Sequence, residues 1–107
     1  MTKPEPDQFV AEIRANVRIL RDHSELAWGS ALEGIAEEAE VDLKSAASKL
    51  LRLFRGMGSY NDVVLQKGGQ VLKQENDELA AARERLFALC VIIKTTAEDR
   101  EEEVSAR

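Results

Sequence analysis

Apolar residues recur at steps of three and four along most of this chain, a spacing typical of amphipathic helices. The stripe from Phe9 to Leu20 predicts a first helix that begins near Pro4 to Pro6, because proline is tolerated in a first helical turn. Ser24 follows this stripe and is the predicted N-cap of a second helix.

A third helix is predicted after Asp42, which is a natural N-cap. Its buried face is predicted to contain Leu43, Ala47, Leu50, Leu51 and Phe54. Gly56 falls where a left-handed residue commonly ends a helix, and Gly58 gives the chain a second permissive position. Beyond this turn, two short β-prone segments, DVVLQ and QVLK, flank Gly68 and Gly69 and predict a two-stranded hairpin. The hairpin should place Val63, Leu65 and either Val71 or Leu72 against the helices.

The last apolar pattern predicts a long helix that begins at Asp77, with Asn76 as its N-cap. Leu79, Leu86 and Ile93 are seven residues apart and should form a buried stripe. A helix over residues 77–103 would be about 40 Å long, more than a domain of this size covers. Its acidic end should therefore be solvated, frayed or packed on a second chain.

These elements predict a mainly α fold, a small four-helix domain with a short β-hairpin between helices three and four. We expect residues 1–97 to form a single helical domain and residues 98–107 to form an acidic C-terminal extension. No apolar run approaches the roughly 20 residues of a membrane span, so we expect a cytoplasmic protein that does not enter the membrane. The single cysteine, Cys90, lies in the apolar run LFALCVII and is predicted to be a buried structural thiol.

The run GMGSYND resembles the GMGS[FY]ND signature of a small bacterial domain family of unknown function. Similarity extends over about residues 26–90, from Trp28 through LLRLFRGMGSYNDVVL to NDELAAARERLF. The signature residues are Gly56, Met57, Gly58, Ser59, Tyr60, Asn61 and Asp62. The resemblance implies no activity, although small acidic helical proteins of this kind resemble immunity proteins encoded beside bacterial toxins.

Turn chemistry assigns structural roles to part of this signature. Asn61 and Asp62 can bind backbone groups of the turn through their side chains. Tyr60 is expected to bury its ring while its hydroxyl stays at the surface. The consecutive N–H groups of the turn could bind an anion, but the run lacks the lysine of a phosphate-binding loop.

Catalytic motifs in the chain are incomplete. His23 lies at a helix end, where it is better explained by the helix dipole than by general-base chemistry. Glu37 and Glu40 form an ExxE pair of the kind that holds magnesium in all-α nucleotide pyrophosphohydrolases. The ExxD pair that those enzymes also need is absent, and the nearest substitute is Glu75 with Glu78. We therefore expect no enzymatic activity, no catalytic residues, no metal site and no cofactor.

The net charge of -5 is unevenly distributed. The segment EGIAEEAEVD at 33–42 holds five acids and no base, and EDREEE at 98–103 adds five acids against one arginine. Both segments would repel nucleic acid, which we exclude as a partner. The only basic stripe in the sequence is Arg14, Arg18 and Arg21, predicted to be a solvated face partly paired with acids of a neighbouring helix; a phosphate or acidic-partner site is the alternative.

The sequence thus favours a non-enzymatic protein-binding module, most concretely an immunity-like protein that occludes a basic bacterial toxin. An acidic helical face would speed its encounter with a positive cleft. The predicted contact residues are Glu33, Glu37, Glu38, Glu40 and Asp42, with Trp28 as an anchor if it is exposed. The alternative is a homo-oligomeric structural or regulatory domain, a homodimer in which the last helix pairs with its twin through Leu79, Leu86 and Ile93.

Overall fold

The computed structural model describes residues 6–55 and 58–105, with side chains described for 7–55 and 58–95. Its four helices are α1 (Pro6–Asp22), α2 (Leu26–Val41), α3 (Leu43–Leu53) and α4 (Lys73–Ser105). A short 3-10 helix (Tyr60–Asp62) and a hairpin of β1 (Gln66–Lys67) and β2 (Gln70–Val71) lie between α3 and α4. The predicted mainly α fold with its hairpin is confirmed, and Pro4, Gly56 and Met57 lie outside the described residues.

The helices form a bundle around one apolar core. Helix α1 packs against α2 and α4, and α3 packs against the same two helices. All four helices contribute apolar side chains that are fully buried, among them Phe9, Leu32, Leu50 and Leu86. The amphipathic stripes read from the sequence therefore meet in a single core.

The turn between α1 and α2 differs from the prediction. Ser24 has a φ of +66° and donates its N–H to the Arg21 carbonyl at 3.2 Å, while Glu25 donates to the Leu20 carbonyl at 2.8 Å. These two bonds form a Schellman motif, in which a left-handed residue closes a helix. Ser24 therefore ends α1 instead of capping α2, and the prediction was wrong because glycine, not serine, is the usual residue at this position.

Asp42 joins α2 to α3 and confirms its predicted role as an N-cap. Its side-chain Oδ1 accepts a hydrogen bond from the Ser45 N–H at 3.1 Å. Its own N–H donates to the Glu38 carbonyl at 2.7 Å and so closes α2. One extended residue thus serves as the C-cap of α2 and the N-cap of α3, which turns the chain sharply between two packed helices.

The predicted hairpin is present but short, with two residues in each antiparallel strand. Gly68 and Gly69 both have positive φ, +59° and +80°, as a type I′ turn requires. Of the two alternative contacts with the helices, Leu72 packs against the core and Val71 is 60% exposed. The Cα partners are Gln66 with Val71 and Lys67 with Gln70. Val63 and Leu65, which precede the hairpin, are buried as predicted.

Asn76 does not cap α4, because that helix begins at Lys73. The Asn76 Nδ2 donates to the carbonyls of Leu65 at 3.0 Å and Leu72 at 2.7 Å. Its Oδ1 accepts from the Leu65 N–H at 2.7 Å. The side-chain amide therefore pairs with both backbone groups of Leu65, as a neighbouring strand would, and fixes the entry to the hairpin on α4.

The predicted apolar stripe of α4 is confirmed, since Leu79, Leu86 and Ile93 are buried within the chain's own core. Cys90 is buried beside them, and burial raises the pKa of its thiol to about 12. The α4 backbone continues to Ser105 and so includes much of the acidic extension. Of the described helices, none combines the length and apolarity that crossing a bilayer requires. The domain boundary at residue 97 and the cytoplasmic location stay predictions.

Candidate functional site

The described residues of the signature, 58–62, form a turn after α3 that is closed by its own polar side chains, and we call it the signature turn. Gly58 has a φ of +73°, and its N–H donates to the Asp62 Oδ2 at 2.8 Å. The Asn61 Nδ2 donates to the Phe54 carbonyl at 3.0 Å and so holds the turn to the end of α3. Both predicted side-chain-to-backbone roles are confirmed, while Ser59 is buried beside them.

Tyr60 is buried more deeply than predicted. No part of it is exposed, and its hydroxyl donates to the Asn16 Oδ1 of α1 at 2.6 Å. The Asn16 Nδ2 in turn donates to the carbonyls of Glu12 at 2.9 Å and Ala82 at 3.2 Å. The expected surface hydroxyl is therefore wrong, because the buried Asn16 amide supplies the partner that water would otherwise provide. Burial raises the pKa of Tyr60, and the nearby Arg83 charge opposes that rise.

Arg83 ties the turn to α4. Its Nη1 donates to the carbonyls of Tyr60 at 2.8 Å and Val63 at 3.1 Å. Its guanidinium carbon lies 5.6 Å from the centroid of the Tyr60 ring, within the range of a cation–π contact. Neither Arg83 nor Asn16 was singled out from the sequence. The signal for Asn16 was a polar residue three positions after Ile13 on an apolar stripe, whereas Arg83 gave no such signal.

The predicted acidic contact residues do not form one surface. Glu33 and Glu40 face α1, where their Oε1 atoms lie 3.3 Å and 3.7 Å from the Arg14 Nη2. Glu37 is exposed and shares their side of α2, because spacings of four and three residues fall on one helical face. We call Glu33, Glu37 and Glu40 the acidic stripe. The expected pairing of Arg14 with acids of a neighbouring helix is confirmed.

Glu38 and Asp42 are directed toward α3 instead. The Glu38 Oε2 lies 2.9 Å from the Lys49 Nζ, and its Oε1 accepts from the Ser45 hydroxyl at 2.9 Å. The hydrogen bond from Lys49, and to a smaller extent the one from Ser45, lowers the pKa of the Glu38 carboxyl. Because Asp42 is the α3 N-cap, both acids serve the α2–α3 junction.

Trp28 lies apart from the acidic stripe. Its ring centroid is 5.3 Å from that of Tyr60, and it is half-buried against the core. Trp28 and Glu37 are nine residues apart, which places them on opposite sides of a helix with 3.6 residues per turn. Trp28 instead borders a shallow cavity of about 250 Å³ together with Glu25, Asp62 and Val64.

The metal-enzyme hypothesis gains no geometric support. Within the described part of the chain, no group of three or more His, Cys, Asp or Glu residues could hold a metal ion. Glu40 of the ExxE pair faces Arg14, and Glu75 and Glu78 lie inside the first turns of α4. His23 lies in the turn that ends α1, where its backbone N–H donates to the Leu20 carbonyl at 3.2 Å.

One comparison with known proteins gives a match. A family model described as a domain of unknown function, DUF6966, matches residues 21–73. This range contains α2, α3, the signature turn and the hairpin, and it is narrower than the similarity expected from the sequence. Comparison with curated proteins and with solved structures finds no match.

Proposed function

We propose that the protein is a non-enzymatic protein-binding module and, more narrowly, an immunity-like protein that binds and occludes a basic bacterial toxin. The use of its polar groups supports a binding role. Tyr60, Asn61 and Asp62 of the signature are hydrogen-bonded within the fold, and the Cys90 thiol is buried. These hydroxyl, amide, carboxyl and thiol groups thus serve packing and turn closure.

The acidic stripe is the observation that carries the narrower proposal. The carboxylates of Glu33 and Glu40 share the Arg14 guanidinium, and the carboxylate of Glu37 lies exposed on the same side of α2. A toxin that grips nucleic acid has a positive cleft, and a complementary negative surface speeds encounter and fixes orientation. Exposed ion pairs are worth only about 0–1 kcal/mol each, so a partner's cation can replace Arg14 at little cost.

A homo-oligomeric structural or regulatory domain is the second candidate. Leu79, Leu86 and Ile93, the residues first predicted to pair two helices, pack inside one chain. The exposed side chains of Phe87 and Val91 favour this candidate instead, because they lie on the outer side of the same helix.

The toxin proposal is tested with any basic toxin that a neighbouring gene encodes; a neighbourhood without a toxin gene would argue against it. We expect co-expression to protect cells from such a toxin, and calorimetry to detect a complex whose affinity falls as salt is added.

The contact surface is tested with charge variants. Glu37→Lys should weaken the complex by about tenfold at low salt, and Arg14→Ala should speed association because it uncovers the acidic stripe. Glu78→Lys makes the same change in net charge on an exposed residue of α4 and should leave the affinity within roughly twofold.

Equal affinities for the wild type and Glu37→Lys would remove the acidic stripe as the contact surface. Failure of every neighbouring toxin to bind or to be neutralised would remove the toxin as partner.

A further inference from the structure

Two sets of residues on α4, offset by one or two positions, point in different directions. The inner set is buried in the core and comprises Leu79, Ala82, Leu86, Cys90 and Ile93. The outer set has spacings of four, three, four and three residues and comprises Ala80, Glu84, Phe87, Val91 and Lys94. We call the outer set the outer seam. Its spacing is that of the a and d positions through which coiled-coil helices pair.

The outer seam lines a groove between α4 and the end of α3. The groove consists of two cavities of about 350 and 470 Å³, and Asn61 and Phe87 line both of them. All five residues of the outer seam contribute to its walls. The opposite wall includes Leu51, Phe54 and Arg55. Because Phe87 is 44% and Val91 43% exposed, the apolar centre of the groove is open to solvent.

Helix α4 is long enough to pair with another helix along this groove. Its 33 residues give a length of about 50 Å, against about 17 Å for the 11 residues of α3. The molecule measures 59 Å along its longest axis and 24 Å along the other two. The outer seam spans about 21 Å of α4 between Ala80 and Lys94.

The charges of the outer seam indicate which helix fits the groove. Glu84 lies three residues before Phe87, and Lys94 lies three residues after Val91. In an antiparallel pair of α4 helices with Phe87 opposite Val91 of the second copy, Glu84 falls opposite Lys94 of the second copy. Two-fold symmetry makes each of these contacts twice. A parallel pair would instead place Glu84 against Glu84 and Lys94 against Lys94, which like-charge repulsion disfavours.

We propose that the protein forms an antiparallel homodimer through the outer seam of α4. A helix that fills this groove needs an apolar centre, a base opposite Glu84 and an acid opposite Lys94, and α4 itself meets all three requirements. Dimerisation leaves the acidic stripe of α2 free, so this inference is independent of the toxin proposal.

Sedimentation equilibrium from roughly micromolar to millimolar concentration tests the dimer. We expect the wild type to change from 11.9 kDa toward twice that mass as its concentration rises. Glu84→Lys alone should weaken association about tenfold, because it sets a second lysine opposite Lys94. Lys94→Glu alone should weaken it similarly, because it sets a second acid opposite Glu84. Each substitution changes a solvent-accessible side chain, and circular dichroism confirms that each variant is folded.

A mixture of the Glu84→Lys and Lys94→Glu proteins is the decisive test of the antiparallel register. Between the two different chains, both contacts again join an acid to a base, so the mixture should recover wild-type association. The double variant carrying both substitutions should recover it as well. The control is Glu78→Lys, which makes the same change in net charge as Glu84→Lys but lies nine residues from Phe87, on the opposite side of α4, and it should associate like the wild type.

A wild type that stays at 11.9 kDa throughout the concentration range overturns the dimer. Single variants that associate as strongly as the wild type, or a mixture that fails to recover, overturn the outer seam and its antiparallel register.

Discussion

At the scale of single residues, polar side chains inside the core decide how the signature turn is held. The buried Asn16 accepts a hydrogen bond from the Tyr60 hydroxyl and donates to backbone carbonyls of α1 and α4. Among the described buried side chains, no nitrogen or oxygen lacks a hydrogen-bond partner. The turn is therefore joined to two helices by a satisfied polar network, which is costly to leave incomplete.

Tyr60→Phe tests this network. The substitution leaves the buried Asn16 Oδ1 without its donor, so we expect a loss of about 1–3 kcal/mol in the free energy of unfolding. Adding Asn16→Leu removes the stranded group, so the double variant should lose less than the sum of the two single variants. Urea unfolding of all four proteins measures both effects. A Tyr60→Phe protein as stable as the wild type would show that the hydroxyl contributes nothing to the turn.

At the scale of elements, single side chains supply the hydrogen-bond partners that backbone groups at the start of α3 and at the entry to the hairpin would otherwise lack. Asp42 supplies the acceptor that opens α3, and Asn76 supplies a donor and an acceptor to Leu65. The two-residue strands of the hairpin could not hold its base alone, because isolated two-stranded ribbons are marginally stable. The Asn76 amide thus anchors the hairpin to the first turns of α4.

Asn76→Ala should detach the base of the hairpin. Because Leu65 is buried, loss of the amide leaves its N–H without an acceptor, whereas its carbonyl keeps the Leu72 N–H as a donor at 3.0 Å. We expect a destabilisation of about 1–3 kcal/mol from the unpaired N–H. Amide hydrogen exchange should show the Leu65 N–H losing protection first. The control is Gln74→Ala, an exposed position two residues before Asn76 in α4, and it should preserve the protection of the Leu65 N–H. Equal Leu65 exchange in both variants would contradict the anchoring role.

At the scale of the whole molecule, α4 is the helix on which the other parts are assembled. Its inner set closes the core against α1 and α3, Arg83 holds the turn, and Asn76 holds the hairpin. Cys90 belongs to the inner set and is fully buried. Its thiol therefore reports whether α4 remains in place.

Cys90 should react with thiol reagents only when α4 leaves the core. Burial raises the pKa of its thiol to about 12, so the folded state favours the protonated form. This contribution to stability is complete below the unfolded thiol's pKa of about 8.5 and is lost as the pH rises toward 12.

At pH values near 8, labelling of Cys90 should follow global unfolding and accelerate with denaturant. A matched control, Ala88→Cys with Cys90→Ala, places the thiol at an exposed position of α4 and should be labelled at once. Labelling of Cys90 in the wild type as fast as that of the control thiol would contradict the prediction.

The sequence by itself determined the elements of this protein, because apolar spacing, the Asp42 cap and the Gly68–Gly69 turn are local properties of the chain. It also indicated the buried stripe of α4 and the backbone bonds of Asn61 and Asp62. Tertiary structure alone decided that Tyr60 meets Asn16, that Asn76 meets Leu65 and that Arg83 meets Tyr60, since these three contacts join residues at least 11 positions apart.

Tertiary structure also divided the acidic segment into two sides and set Trp28 apart from both. The acids lie within one ten-residue segment, but a helix distributes the residues of such a segment around its axis. Only the packing of the helices decides which of these acids meets a cation. For the same reason, the outer seam of α4 became distinct from the inner set only when the other helices covered one side of α4 and left the other side open.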